Sequence, residues 1–164
     1  MGVSGYRMFL YKNKVVVSGG SGRFGNVMKM DKNNYKLFFP TRKELDITKF
    51  KSIKNYLKKN KPKYFIHLAG LSRPMSMHER DLNKSIDLNI IGTANLLEAI
   101  RKVDTVEAIV NITTDKCYEN IEQLKPYDEN DKLGGYDPYS SSKACAELVS
   151  ATYRNSFFND IGTR

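Results

Sequence analysis

The chain has 164 residues, of which 40% are hydrophobic and 27% charged, with a net charge of +9. That is enough to bury one ordinary core, and no run approaches the roughly 20 apolar residues needed to cross a bilayer. The basic residues are scattered over positions that fall on solvated helix faces, Lys49 to Lys63 above all, with no interleaved aromatic platform, which argues against a nucleic-acid partner.

In chain order, residues 1–13 contain no apolar core of signal-peptide length and read as a leader, with 14–164 as one domain of a cytoplasmic protein. Four short apolar runs follow: Val15 to Val17, Leu37 to Phe39, Tyr64 to Leu68 and Ala108 to Ile112. None alternates, as expected of strands covered on both faces in a parallel sheet. Between them lie helical patterns. Phe50, Ile53 and Leu57 share one face of a segment from Thr48 to Asn60, with Thr48 as its cap. A longer segment, Asp81 to Val103, carries Leu82, Ile86, Ile90, Ala94, Leu97 and Ile100 inward. A last helix begins at Pro138, capped by Asp137, and turns Ala144, Leu148 and Tyr153 inward. Strand alternating with helix is the signature of an α/β doubly wound, Rossmann-like parallel sheet, because parallel neighbours need crossover helices. The stretch from Glu119 to Asp137, with Pro126, Gly134 and Gly135, reads as a surface loop. Cys117 and Cys145 form neither a CxxC pair nor a Cys/His cluster, so they read as reduced thiols and no metal site is expected.

Three constellations carry chemistry. Glycines at Gly19, Gly22 and Gly25 follow the first strand directly; missing side chains there let the backbone turn tightly and approach a pyrophosphate, whose charge rests on the next helix N-terminus. Arg23 and Phe24 lie within the same loop. Tyr139 and Lys143, four residues apart, share a helix face, where an ammonium near a phenol favours its ionised form and makes it a base for a sugar hydroxyl. Thr113 to Tyr118 follow the fourth strand, at the sheet edge where this architecture places ligands; Thr114, Asp115 and Lys116 supply a hydroxyl, a carboxylate and an amine.

Together these residues resemble the extended short-chain dehydrogenase/reductase family, over nearly the whole chain from Lys14 onward. Asn111 to Tyr118 and Leu133 to Phe158, the latter reading LGGYDPYSSSKACAELVSATYRNSFF, look like the CDP-glucose 4,6-dehydratase branch. The resemblance implies a lyase in which NAD takes hydride from C4 of a nucleotide sugar, water leaves across C5 and C6, and hydride returns to C6. It implies that Tyr139 is the base, Lys143 its helper, Thr114 the hydrogen-bond partner of the reacting hydroxyl, and Asp115 the acid that expels the C6 hydroxyl. Related dehydratases carry Glu at the position of Lys116, to which the C5 proton abstraction then falls.

The front half departs from that branch. Leu37 to Thr48 and His67 to Pro74 look closer to dTDP-4-dehydrorhamnose reductase, so a reductase or epimerase acting on a 4-keto sugar, or a non-catalytic dinucleotide-binding module, stands as the alternative. After the second strand come Pro40, Thr41, Arg42 and Lys43 rather than an acid, and Arg42 suits the extra phosphate of NADP; NAD and NADP both stay open. By family position Asp46 and Ile47 lie against adenine, Leu68, Ala69 and Gly70 beside the cofactor, and Asn89 near the active site or in helix packing. His67 and His78 are expected to be structural. Members of the family run to about twice this length, so an unpaired fourth strand is expected to favour a homo-oligomer or dependence on a missing C-terminal half.

Overall fold

A computed structural model describes residues 14–30, 35–70 and 82–158. The leader, His78, Asp81, the end of the His67 to Pro74 stretch and residues 159–164 lie outside them. Four strands, β1 (Lys14–Ser18), β2 (Lys36–Phe38), β3 (Tyr64–His67) and β4 (Ala108–Asn111), pair in parallel in the order β2-β1-β3-β4. The register aligns Val16 with Phe38 and Phe65, and Ile66 with Val110. Helices α1 (Arg23–Met30) and α2 (Phe50–Asn60) follow the first two strands. A helical run then passes through α3 (Leu82–Ser85), a π turn (Ile86–Ile91) and α4 (Gly92–Arg101). After β4 come a 3₁₀ turn (Asp115–Cys117) and α5 (Pro138–Phe157). This is the doubly wound arrangement expected from the alternation.

Val16 and Phe65 point to one face of the sheet and meet Ile53 and Leu57 of α2 and Leu96, Ala99 and Ile100 of α4. Each such fully buried large side chain is worth about 1.5–3 kcal/mol, which is why α2 and α4 dock through one stripe each. Gly92 helps: a methyl there would stand 2.9 Å from the Ile47 side chain, so α4 approaches the loop before α2 closely.

Four sequence expectations are corrected. Only β1 is covered on both faces; β4 alternates exposed and half-buried residues, because it lies at the sheet edge. Thr48 does not cap α2, since its hydroxyl is spent on Asp46 at 2.7 Å and Lys49 occupies the cap position, where its side chain makes no capping bond. Leu82 and Ile86 are exposed: the Gly92 amide donates to the Asp87 carbonyl five residues back, and the extra residue in that turn rotates what precedes it by roughly 100° from the expected stripe. Leu148 is 56% exposed, because the stripe that α5 turns inward runs through Ala146, Ser150 and Tyr153, with Ser150 bonded to Asn111 and Tyr153 to Glu98. Asp137 caps α5 as expected, accepting from the amides of Tyr139 (2.9 Å) and Ser140 (3.1 Å).

Candidate active site

The glycine loop leaves β1 through Gly19, whose φ of 76° lies in the left-handed region. A methyl there would stand 2.6 Å from the Ala69 backbone nitrogen, so the loop presses against the end of β3 and only glycine fits. Gly25, in the first turn of α1, abuts the Gly20 backbone, where a methyl would meet Cα at 2.5 Å. The Gly22 amide donates to the Gly19 carbonyl (2.9 Å), and the Arg23 and Phe24 side chains are exposed. Three of the four residues between β1 and α1, Gly19, Gly20 and Gly22, therefore bring bare backbone to the start of α1.

The end of β3 continues the same surface. Leu68 donates its amide to Ser18 (3.1 Å), and Gly70 lies where a methyl would stand 2.7 Å from Asn89 Oδ1 and 2.9 Å from Lys143 Nζ. Lys143 thus reaches from α5 across to the strand end beside the glycine loop. It is buried, and burial pushes its ammonium below the usual lysine range while Glu147 one turn further along pulls it back up. Asn89 sits in the π turn, buried, and donates from Nδ2 to Ser142 Oγ at 2.8 Å. π turns recur at functional sites, and this one delivers a polar side chain to the lysine.

His67 is structural in the described residues: it is buried and shares a 2.7 Å hydrogen bond between Nδ1 and Ser18 Oγ. Burial, aided by the Lys143 charge, pushes its pKa down to about 3, so the ring is neutral at physiological pH. Tyr139 is half-buried in the first turn of α5, one turn before Lys143.

The segment after β4 is built differently. Thr114 Oγ1 caps the 3₁₀ turn, accepting from the Lys116 amide (3.3 Å) and donating to Asp115 (3.1 Å). Asp115 and Lys116 are exposed and form an ion pair at 3.7 Å. Thr113 instead donates inward to Glu147. The turn packs against α5, which carries Tyr139 and Lys143. The bridge between Tyr118 and Leu133 closes the base of the following loop, inside which Tyr118 stacks on Tyr127 with ring centroids 5.7 Å apart.

Past β2, Asp46 is held by its own neighbours: Oδ1 accepts from the Thr48 amide and hydroxyl, and Arg42 and Lys49 each stand 3.8 Å from Oδ2. Burial opposes ionisation there, but these bonds and charges win and hold the carboxyl below its usual range. Ile47 is buried in the core. The chain's sequence motifs did not single out two contacts. Gly20 lies under the Phe39 ring, and Gly135 abuts the first turn of α5, where a methyl would stand 2.3 Å from Ser140. Ser142 gives no sequence signal beyond being a small polar residue directly before Lys143.

A family model described as GDP-mannose 4,6 dehydratase matches residues 8–160. The chain belongs to this family. A CDP-glucose 4,6-dehydratase of Salmonella typhimurium is 44% identical over 114 residues, which cover 70% of this chain and 32% of that protein. The fold resembles a dTDP-4-dehydrorhamnose reductase from Bacillus anthracis in complex with NADP (TM-score 0.79, 24% identity, 87% of this chain and 50% of that one). It also resembles a UDP-glucose 4-epimerase from Thermus thermophilus in complex with NAD (TM-score 0.76, 21% identity, 88% and 52%). The chain therefore spans about a third of that curated relative and half of those structures. Among the described residues no helix is long and apolar enough to cross a membrane, and no group of acidic, His and Cys residues could hold a metal.

Proposed function

We propose that the chain is the dinucleotide-binding and catalytic part of a nucleotide-sugar 4,6-dehydratase of the CDP-glucose type. The observation that carries this reading is the meeting of a bare-backbone glycine turn with a buried lysine at the ends of β1 and β3. The strongest support from relatives is the 44% identity to a CDP-glucose 4,6-dehydratase.

The residues present fit an NAD or NADP molecule: Gly19 and Gly22 keep the loop free of Cβ atoms, and the first turn of α1 offers amides and a partial positive charge to a pyrophosphate. Arg23 and Phe24 flank that turn; Leu68, Ala69 and Gly70 form the adjacent strand end. Asp46, Ile47 and Arg42 stand on the adenosine side, with Arg42 available for a 2′-phosphate if it leaves Asp46. The bound dinucleotide supplies a hydride acceptor for C4 of the sugar and a donor for C6.

The protein's own part is proton handling. Tyr139 takes the C4 hydroxyl proton, with Lys143 one turn further along α5 as its helper. Thr114 holds the reacting hydroxyl; with a proton passed from Lys116 to Asp115 within their pair, Asp115 gives a proton to the departing C6 hydroxyl and Lys116 takes the C5 proton, which it returns to C5 as hydride reaches C6. Asp115 is not buried, so it reaches solvent to recover its proton after water leaves. The chain spans only part of its relatives, and the pocket for the sugar nucleotide is proposed to be completed by residues outside it or by a second copy.

The test is incubation of the protein with CDP-glucose and NAD, followed by mass spectrometry. A product lighter than the substrate by one water supports the reading, and Tyr139→Phe should abolish it. Retention of product formation by Tyr139→Phe would refute the assigned base. Absence of NADH binding, read as unchanged dinucleotide fluorescence, would refute the whole site.

A further inference from the structure

The contact between Asn89 and Ser142 fixes more than the packing of two helices. Ser142 Oγ lies 2.7 Å from the backbone carbonyl of Tyr139, a group that can only accept, so the single hydroxyl proton is committed there. What remains on that oxygen is lone pairs. The Asn89 side-chain amide faces it at 2.8 Å, and only its NH₂ end can satisfy lone pairs. The carbonyl end must then point the other way. There Asn89 Oδ1 and Lys143 Nζ approach the same point above Gly70, 2.7 Å and 2.9 Å from the place a methyl would occupy. An acceptor and an ammonium thus share a buried space that glycine leaves open. Asn89, Ser142 and Lys143 are all buried, so a reversed amide would set NH₂ against the ammonium with little water to screen it.

We propose that Ser142 is a positioning residue: by spending its own proton on the Tyr139 carbonyl, it selects the orientation of the Asn89 amide that presents Oδ1 to the Lys143 ammonium. The consequence is a chain of command from the backbone of the proposed base to the charge of its helper. The other titratable groups around Lys143 leave this role open. His67, on β3, is neutral and bonded to Ser18; Glu147, one turn along α5, accepts from Thr113; Tyr139 lies one turn before. The inference deepens the proposed function and rests on it for the use made of Lys143. The orientation itself is read from the amine alone.

The experiment is a pH titration of Lys143 by NMR in protein labelled with ¹³C at the lysine ε carbon, the signal being assigned by its loss in Lys143→Arg. Ser142→Ala frees the amide to turn, and the Lys143 midpoint is expected to fall by about 0.5 pH unit or more, roughly threefold in proton affinity. Ser142→Thr, which keeps a hydroxyl, should restore the midpoint. Ser141→Ala removes the neighbouring hydroxyl, which donates to the Gly135 carbonyl, and should leave the midpoint where it is. If Ser142→Ala does not fold, Asn89→Ala must produce the same fall. An unmoved midpoint in the folded variant, or an equal shift in Ser141→Ala, overturns the proposal. NADH binding by the unaltered protein is measured alongside: its absence sinks the enzymatic reading while the Lys143 midpoints still decide the role of Ser142.

Discussion

Two polar clusters stand at the carboxyl ends of the strands, and they are held in opposite ways. At the ends of β1 and β3, residues far apart in sequence lock one another: Gly19 against Ala69, Gly70 against Asn89 and Lys143, Ser18 against His67, Asn89 against Ser142. After β4, among the described residues, the side chains of Thr114, Asp115 and Lys116 bond to one another or to the turn's own backbone across one or two residues, and Asp115 and Lys116 are exposed. The first cluster is positioned by the fold and is inseparable from its stability. The second is positioned by a local turn, and its chemistry depends on what is brought to it.

The widest gap between the two should appear on filling the first. Gly19→Ala combines a left-handed φ with a methyl 2.6–2.8 Å from the Leu68 and Ala69 backbone, which cannot yield as a side chain would. A loss of about 3 kcal/mol in denaturant-unfolding free energy is expected, from strain and overpacking together. A loss below about 1 kcal/mol would mean that the β1 and β3 ends are not locked as described.

A pH measurement probes the same cluster from inside. His67 has a folded pKa of about 3, below the roughly 6.5 of the unfolded chain, so its contribution to stability is full above about pH 6.5 and is lost as pH falls toward 3. Unfolding free energy should drop by about 1.4 kcal/mol between about pH 7.5 and about pH 5.5, a window above the titration of ordinary carboxylates. His67→Gln, which cannot take a proton there, should flatten this slope. Persistence of the slope in that variant would assign it elsewhere.

The difference between the clusters also explains what was legible in the sequence. The glycine spacing, the four strands and the Asp137 cap are local patterns, and each lies within a residue or two of its expected place. The π turn was not legible: Leu82, Ile86 and Ile90 fit an α-helical stripe, and nothing in that spacing announces that the Gly92 amide reaches back five residues. Nor was the Asn89–Ser142 bond, which joins residues 53 apart and is fixed only once α5 lies across the helical run. Leu148 misled for the same reason, since the inward face of α5 is chosen by Asn111 and Glu98 on other elements. After β4 the sequence placed Thr114, Asp115 and Lys116 at the strand end, where they lie, but not the 3₁₀ turn that Thr114 caps.

A smaller effect is expected at the junction of the clusters. Asp137 caps the helix that carries Tyr139 and Lys143 and also accepts from the Ser140 hydroxyl at 2.5 Å. Burial raises its pKa, but the Ser140 hydroxyl and the Ser140 and Tyr139 amides lower it further, so the net shift is downward and the stabilisation is lost as pH falls through the folded value. Asp137→Ala should cost about 1 kcal/mol, and Asp137→Ser should recover most of it, as read by thermal unfolding.

The smallest stability change belongs to the second cluster, to which the proposed function assigns the general acid. Among the described residues the exposed Asp115 carboxylate bonds to its chain neighbours Thr114 and Lys116, so Asp115→Asn should shift unfolding free energy by less than about 0.5 kcal/mol. NADH binding should be unchanged as well, since nothing in the glycine loop or at the end of β3 touches this residue among the described contacts. Product formation from CDP-glucose should nonetheless fall at least about a hundredfold, the usual scale for loss of a general acid. A variant that folds, binds dinucleotide and turns over normally would remove Asp115 from the chemistry and require another donor for the departing hydroxyl.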